Sequence, residues 1–157
     1  MSQLVINIGA RAIRDQQPVN FEFSYTRLLV ENYAACREFY TSVLGLEVTF
    51  TSEIDDYSEL TSDDIKLTLL SRDQFSGHFG SGTDFAFDHK SDSIALSFCV
   101  SNVDEAYQYL KTKGVETVSP PWNFADWGVK SALVRDPDGN LIELTQMGDM
   151  VGADSNG

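Results

Sequence analysis

The sequence predicts an α+β protein made of two tandem βαβββ modules, and three observations carry that prediction. The stretch from Tyr25, YTRLLVENYAACREFYTSVLGLE, returns in the stretch from Ala95, ALSFCVSNVDEAYQYLKTKGVE. Val30 meets Val100, Asn32 meets Asn102 and Phe39 meets Tyr109 at an offset of 70; after a one-residue gap, Gly45 meets Gly114 and Leu46 meets Val115. Self-similarity of this kind means one supersecondary unit used twice. Within each copy the apolar spacing passes from alternation to a helical stripe and back to alternation, the pattern of a strand, a helix and further strands. Each copy then closes on strand-like runs broken by turn residues, Ser62-Asp63-Asp64 in the first and Asp136-Pro137-Asp138-Gly139-Asn140 in the second.

Taken in order, residues 1–20 read as an N-terminal arm and residues 21–147 as the domain. Module one, residues 21–70, opens on a strand that ends near Val30. Asn32 is placed to cap a helix whose inward stripe is Cys36, Phe39, Tyr40 and Val43, and Gly45 is placed to end it. Strands are expected at 47–52, 57–61 and 65–70. Residues 71–92, SRDQFSGHFGSGTDFAFDHKSD, are largely polar and glycine-rich and read as a linker. Module two, residues 93–147, repeats the plan. Asn102 caps a helix that turns Val103, Ala106, Tyr107 and Leu110 inward, with Asp104 and Glu105 in its first turn, where the helix dipole favours acids. A strand at 116–118 is expected to stop at Pro120-Pro121, with further strands at 127–134 and 141–145. Residues 148–157 read as a flexible tail.

Composition narrows the function classes. At 157 residues, with 42% hydrophobic and 11% aromatic residues, the chain can bury a core of ordinary size. Twenty-four acids against 11 bases leave a net charge of −13, which argues against nucleic acid as a partner. The same balance favours cationic or neutral ligands. There is neither an apolar run long enough to span a membrane nor a basic start followed by an apolar core, so no membrane span and no signal peptide are expected. Cys36 and Cys99 are too few for a disulfide framework and read as buried, reduced thiols in a cytoplasmic protein.

Glu143 breaks the pattern. It stands in the run LIELT, where an ionised carboxylate is costly unless something pairs with it. Together with FYTSVLGLEV and WGVKSALVRDPDGNLIELTQ, the tandem layout resembles the vicinal oxygen chelate superfamily. That superfamily includes glyoxalase I, bleomycin-resistance proteins, fosfomycin-resistance enzymes and extradiol dioxygenases. The resemblance spans roughly residues 21–146. It implies two sheets curled into a cup, and a homodimer that shares its pocket between chains. In metal-dependent members it also implies a divalent ion held by the first and last strands of each module. Glu143 matches the glutamate ligand. The repeat then locates the other positions: Ala95 and Tyr25, each five residues before the matched valines, and Thr68, from matching IKLTL to NLIEL. Alanine has no donor, and neutral tyrosine and threonine are weak ones. The expected cofactor is therefore none; were a divalent metal present, Glu143 would be its ligand. His78 and His89 both fall in the linker and read as solvated, the alternative being that one bends into the cup and completes a metal site with Glu143.

Strand alternation places the companions of Glu143. Leu141 and Thr145 share its face; Tyr25, Arg27 and Leu29, Lys66, Thr68 and Leu70, and Ala95, Ser97 and Cys99 complete the cup. Arg27 is the expected partner of Glu143, a guanidinium standing where an ion would; the alternative is that Glu143 stands at the solvated mouth of the cup. Trp122, Phe124 and Trp127 read as an aromatic rim and Phe75 and Phe79 as a lid, although each taken alone also fits core packing. No nucleophile is expected: Cys99 lacks a base, and no Ser-His-Asp set is arguable.

The resulting expectation is a metal-independent small-molecule binder of the bleomycin-resistance type. Its ligand-binding residues are Tyr25, Arg27, Thr68, Ala95, Ser97, Trp122, Trp127 and Glu143, and its partner is a small cationic or aromatic organic molecule. Two alternatives stand beside it. One is a metal-dependent lyase, isomerase or dioxygenase with an irregular site; the other is a regulatory or assembly module whose cup is vestigial.

Overall fold

The two repeats fold as two four-stranded sheets of the same strand order. The structure, a computed structural model, describes residues 19, 23–79, 87, 92 and 94–148, without the side chains of 78, 79 and 127. Module one comprises β1 (Thr26–Val30), α1 (Tyr33–Glu38), β2 (Glu47–Ser52), β3 (Tyr57–Ser62) and β4 (Ile65–Ser71). After a connecting helix α2 (Arg72–Phe79), module two comprises β5 (Ala95–Cys99), α3 (Val103–Thr112), β6 (Glu116–Phe124), β7 (Val129–Arg135) and β8 (Leu141–Met147). The sheet orders are β1-β4-β3-β2 and β5-β8-β7-β6, parallel at β1-β4 and β5-β8 and antiparallel elsewhere.

Register confirms the internal repeat. Arg27 pairs with Thr68, and Ser97 pairs with Glu143. Arg27 and Ser97 are equivalent by the repeat, so Thr68 is the module-one counterpart of Glu143, as matching IKLTL to NLIEL predicts.

Both helices start where the asparagines predict. The side-chain oxygen of Asn32 accepts from the Ala35 N–H at 3.1 Å, and that of Asn102 from the Glu105 N–H at 3.0 Å. Each cap satisfies a backbone donor that the first turn leaves without a helical partner. α1 then loosens into a π-turn over Phe39–Val43, and Gly45 leaves it at φ 82°, a left-handed conformation that favours glycine.

The helices cover one face of each sheet and share a single core. Val30, Cys36, Tyr40, Leu60 and Leu69 pack in the same cluster as Val103, Leu110, Val134, Ile142 and Leu144. The alternate residues of the strands turn the other way, toward the cup. The thiol of Cys36 is pushed well above its ordinary pKa, chiefly by burial and then by the charges of Asp136 and Asp138, so it is an inert core group.

The turn DPDGN ties the modules together. Asp136, 3% exposed, accepts from the backbone N–H groups of Asp138 and Asn140, from the Asn140 amide and from the buried Tyr40 hydroxyl of module one at 2.7 Å. One Asp138 oxygen accepts from the N–H groups of Glu31 and Asn32, just before α1. The other accepts from Arg72 at 2.8 Å. Arg72 also donates to the Leu29 carbonyl, so the start of α2 is held to both modules.

Several expectations need correction. The segment expected to be a linker begins with a helix, α2, started by Ser71, whose hydroxyl accepts from the Gln74 N–H. Pro120 and Pro121 do not stop β6, which runs on to Phe124. β6 is an edge strand with register shifts on either side of Ser119, and prolines are tolerated at edges and bulges because no ladder hydrogen bond is lost. Trp127 falls in a 3₁₀ turn, Ala125–Trp127, and β7 starts at Val129. Cys99 is exposed, not buried, because alternation along β5 sets it beside Ala95 and Ser97 on the open face. The arm before residue 19, His89 and residues 149–157 lie outside the described residues. Among the described residues no helix is long and apolar enough to cross a membrane.

Candidate functional site

The cup face of module one is organised around Arg27. Cross-strand pairing sets Arg27 beside Thr68, Thr68 beside Glu59 and Glu59 beside Phe50 in one row. Directly paired residues project to the same side of a sheet. Arg27 Nε donates to the fully buried Thr68 hydroxyl at 3.2 Å, and Nη2 donates to the Tyr25 hydroxyl at 2.8 Å. Its guanidinium carbon lies 5.2 Å from the centre of the Tyr25 ring and 5.8 Å from that of Tyr57, within cation–π range of both. The Tyr57 hydroxyl donates to Glu59 at 2.7 Å, and Lys66 donates to the second Glu59 oxygen at 3.2 Å. Phe50 stands against Tyr57 with ring centres 6.0 Å apart.

This network displaces two acidities. Glu59 is held below the usual carboxylate range, first by the Tyr57 hydroxyl and then by Lys66. Burial, then the hydrogen bond to Glu59 and its charge, push the Tyr57 phenol up to about 12. A folded-state pKa raised above the ordinary tyrosine value contributes stability that is fully present below about pH 10 and is lost as pH rises through about 12. Tyrosinate absorbance is accordingly expected to show one phenol titrating near pH 12. Glu59→Gln is expected to lower that midpoint part of the way, since burial remains; an unchanged midpoint would contradict the assignment.

Module two presents a plainer wall. Ser97 donates to Glu143 at 2.9 Å and lies 3.2 Å from the Thr145 hydroxyl. Cys99, Thr145, Ser131 and Trp122 form a paired row. Trp122 is 65% exposed at the end of it. Ala95, Ser97 and Cys99 leave that wall open, as their small side chains predict.

Arg27 and Glu143 do not pair. Among the described residues no ion pair joins them; Arg27 is held by Thr68 and Tyr25, and Glu143 by Ser97. The reason is their placement: Arg27 lies on the first strand of one sheet and Glu143 on the last strand of the other, and each turns to its strand neighbour. The polar partner of Glu143 is a hydroxyl.

The four positions where the resemblance implies a divalent ion do not make a site for one. The hydroxyls of Tyr25 and Thr68 accept from Arg27, Ala95 has no donor, and Glu143 is the sole carboxylate. A cationic guanidinium inside a cation site also opposes it. Among the described residues no three His, Cys, Asp or Glu side chains come together as a metal-binding group. The side chains of His78, Phe79 and Trp127 lie outside the described residues.

Tyr57, Glu59 and Phe50 were not among the expected site residues. The alternation in YSELTS carries the signal, since it turns Tyr57 and Glu59 to the side opposite Ser58 and Leu60, both fully buried.

Paired βαβββ modules, with equivalent residues on their first and last strands turned to an open sheet face, define a protein of the glyoxalase type of fold. The family model for the Glyoxalase/Bleomycin resistance protein/Dioxygenase superfamily matches residues 22–144, and the chain belongs to that superfamily. It is 32% identical over 121 residues to Uncharacterized protein YraH of Bacillus subtilis (strain 168), covering 77% of this chain and 94% of that one. A glyoxalase-related enzyme from Fulvimarina pelagi shares the fold at a TM-score of 0.66 and 19% identity, covering 80% of this chain and 87% of that chain. A glyoxalase/bleomycin resistance protein/dioxygenase from Nocardioides does so at a TM-score of 0.61 and 19% identity, covering 91% and 93%. At those identities the likeness is one of fold.

Proposed function

We propose that the protein is a metal-independent binder of a small organic molecule, held in the sheet cup. The observation that carries this reading is the occupancy of the four metal positions: one has no donor and two accept hydrogen bonds from Arg27. The aromatic side chains of Tyr25, Tyr57 and Phe50 on the module-one face support a ligand with a flat apolar body. Tyr25 and Arg27 contact it from module one, and Ala95, Ser97, Trp122 and Glu143 from module two; the fully buried Thr68, expected as a contact, holds Arg27 from beneath. The reading includes a cytoplasmic homodimer in which a second copy covers the open faces, supported by Trp122 at 65%, Phe50 at 53% and Met147 at 50% exposure.

The test is a screen of small organic compounds by intrinsic tryptophan fluorescence, followed by mass spectrometry of the compound recovered from the complex. Stoichiometric binding with the compound returned unchanged is expected. Conversion of a bound compound to product would replace this reading with a catalytic one.

A further inference from the structure

We infer that the cup selects its ligand by a carboxylate or a similarly planar anion received by Arg27, an inference that rests on the binding reading above. The overall charge of −13 points toward cations, but the local arrangement at Arg27 points the other way.

Among the described residues Arg27 is the one arginine without a carboxylate partner. Arg37 has Glu53 at 3.7 Å, Arg72 has Asp138 at 2.8 Å, and Arg135 has Asp92 at 2.7 Å. In a chain with 24 acidic residues, an arginine held only by neutral groups is an available charge. The carboxylate nearest to it in the row, Glu59, feels the charge of Arg27 but makes its ion pair with Lys66. One Glu59 oxygen accepts from the Tyr57 hydroxyl and the other from Lys66. The cluster of Arg27, Lys66 and Glu59 therefore retains one net positive charge.

The guanidinium is also fixed in advance. Nε is tied to Thr68, Nη2 to Tyr25, and two tyrosine rings lie against its carbon. Nη1 has no protein partner among the described residues. A planar fork held in this way loses little freedom when it receives a carboxylate through its remaining N–H donors. The rings that hold it offer an apolar surface next to the charge. The ligand class that fits is a small organic acid with a ring or other flat body, its carboxylate on Arg27 and its body along Tyr25, Tyr57 and Phe50.

The experiment titrates the full-length protein with a panel of aromatic carboxylic acids, each alongside its neutral amide and the corresponding amine, by calorimetry. At least one acid is expected to bind roughly 10-fold or more tightly than its amide and amine. Arg27→Gln is expected to weaken that acid roughly 10- to 100-fold, the range for hydrogen bonds to a charged group. Arg27→Lys is expected to recover only part of the loss, because an ammonium lacks the planar fork. Thermal melts of both variants establish that they are folded. Equal or tighter binding of amides or amines, acid binding unchanged in Arg27→Gln, or no acid bound across the panel overturns the inference. Amine or amide binding would do so while leaving a metal-free binding cup intact, whereas a retained stoichiometric metal ion would remove the binding reading itself.

Discussion

Asp138→Ala is expected to be the most destabilising single change outside the apolar core, by about 3 kcal/mol, the lower end for removing one partner of a buried ion pair. The side chain of Asp138 is 4% exposed and that of Arg72 15%, so the substitution leaves a largely buried guanidinium without its closest carboxylate. It also removes the acceptor for the N–H groups of Glu31 and Asn32, which begin the first helix from the opposite module. For a chain of this length the melting temperature should fall by roughly 6–12 °C. Thermal melts of Asp138→Ala, Arg72→Ala and the double variant check this. The double variant should be less destabilised than the sum of the two singles, because the interaction is lost only once. Simple additivity would show that the two side chains do not act together.

Asp136→Ala should cost a similar amount through a different route. Its carboxylate is the acceptor for four donors, among them the Tyr40 hydroxyl, buried between the modules. A buried donor left without an acceptor costs about 1–3 kcal/mol, so a total on the order of 3 kcal/mol is expected. Tyr40→Phe removes one donor without stranding another and should cost only about 1 kcal/mol. Burial and the charge of Asp136 push the Tyr40 phenol far up from its ordinary value, so its hydroxyl remains a donor throughout the working pH range. Urea unfolding of the two variants gives the comparison. If Tyr40→Phe were as damaging as Asp136→Ala, the turn would owe its stability to that one bond and not to the backbone donors it collects.

These two aspartates mark where the sequence stops being legible. DPDGN is readable as a turn, because Pro137 and Gly139 announce it and Gly139 takes φ 88°. That Asp138 reaches backbone groups 107 residues away is a property of module packing, and no local pattern encodes it. Much else was legible for physical reasons. The repeat located both asparagine caps, and period-two alternation separated the core side of each strand from the cup side. Matching IKLTL to NLIEL found Thr68, because the same ladder register recurs in both sheets.

The misreadings share a cause. Pairing Arg27 with Glu143 followed their shared cup face and opposite charge, whereas register gives each a hydroxyl from its adjacent strand. Treating Pro120-Pro121 as a stop ignored that an edge strand has one side without a ladder. Counting Cys99 as a core thiol followed its apolar neighbours and not its place in the alternation. Tyr57 and Glu59 were overlooked because they carry no motif; only the pairing of β3 with β4 brings them to Arg27 and Thr68.

On the proposed reading, an arginine-centred face stands where metal-dependent members of the superfamily hold an ion. The measurement that tests it most directly is elemental analysis after reconstitution with Ni, Zn, Mn and Fe(II) and desalting, on the wild type and on Glu143→Ala. No stoichiometric metal is expected in either protein. About one ion per chain or per dimer in the wild type, lost in Glu143→Ala, would contradict it and make Glu143 a metal ligand.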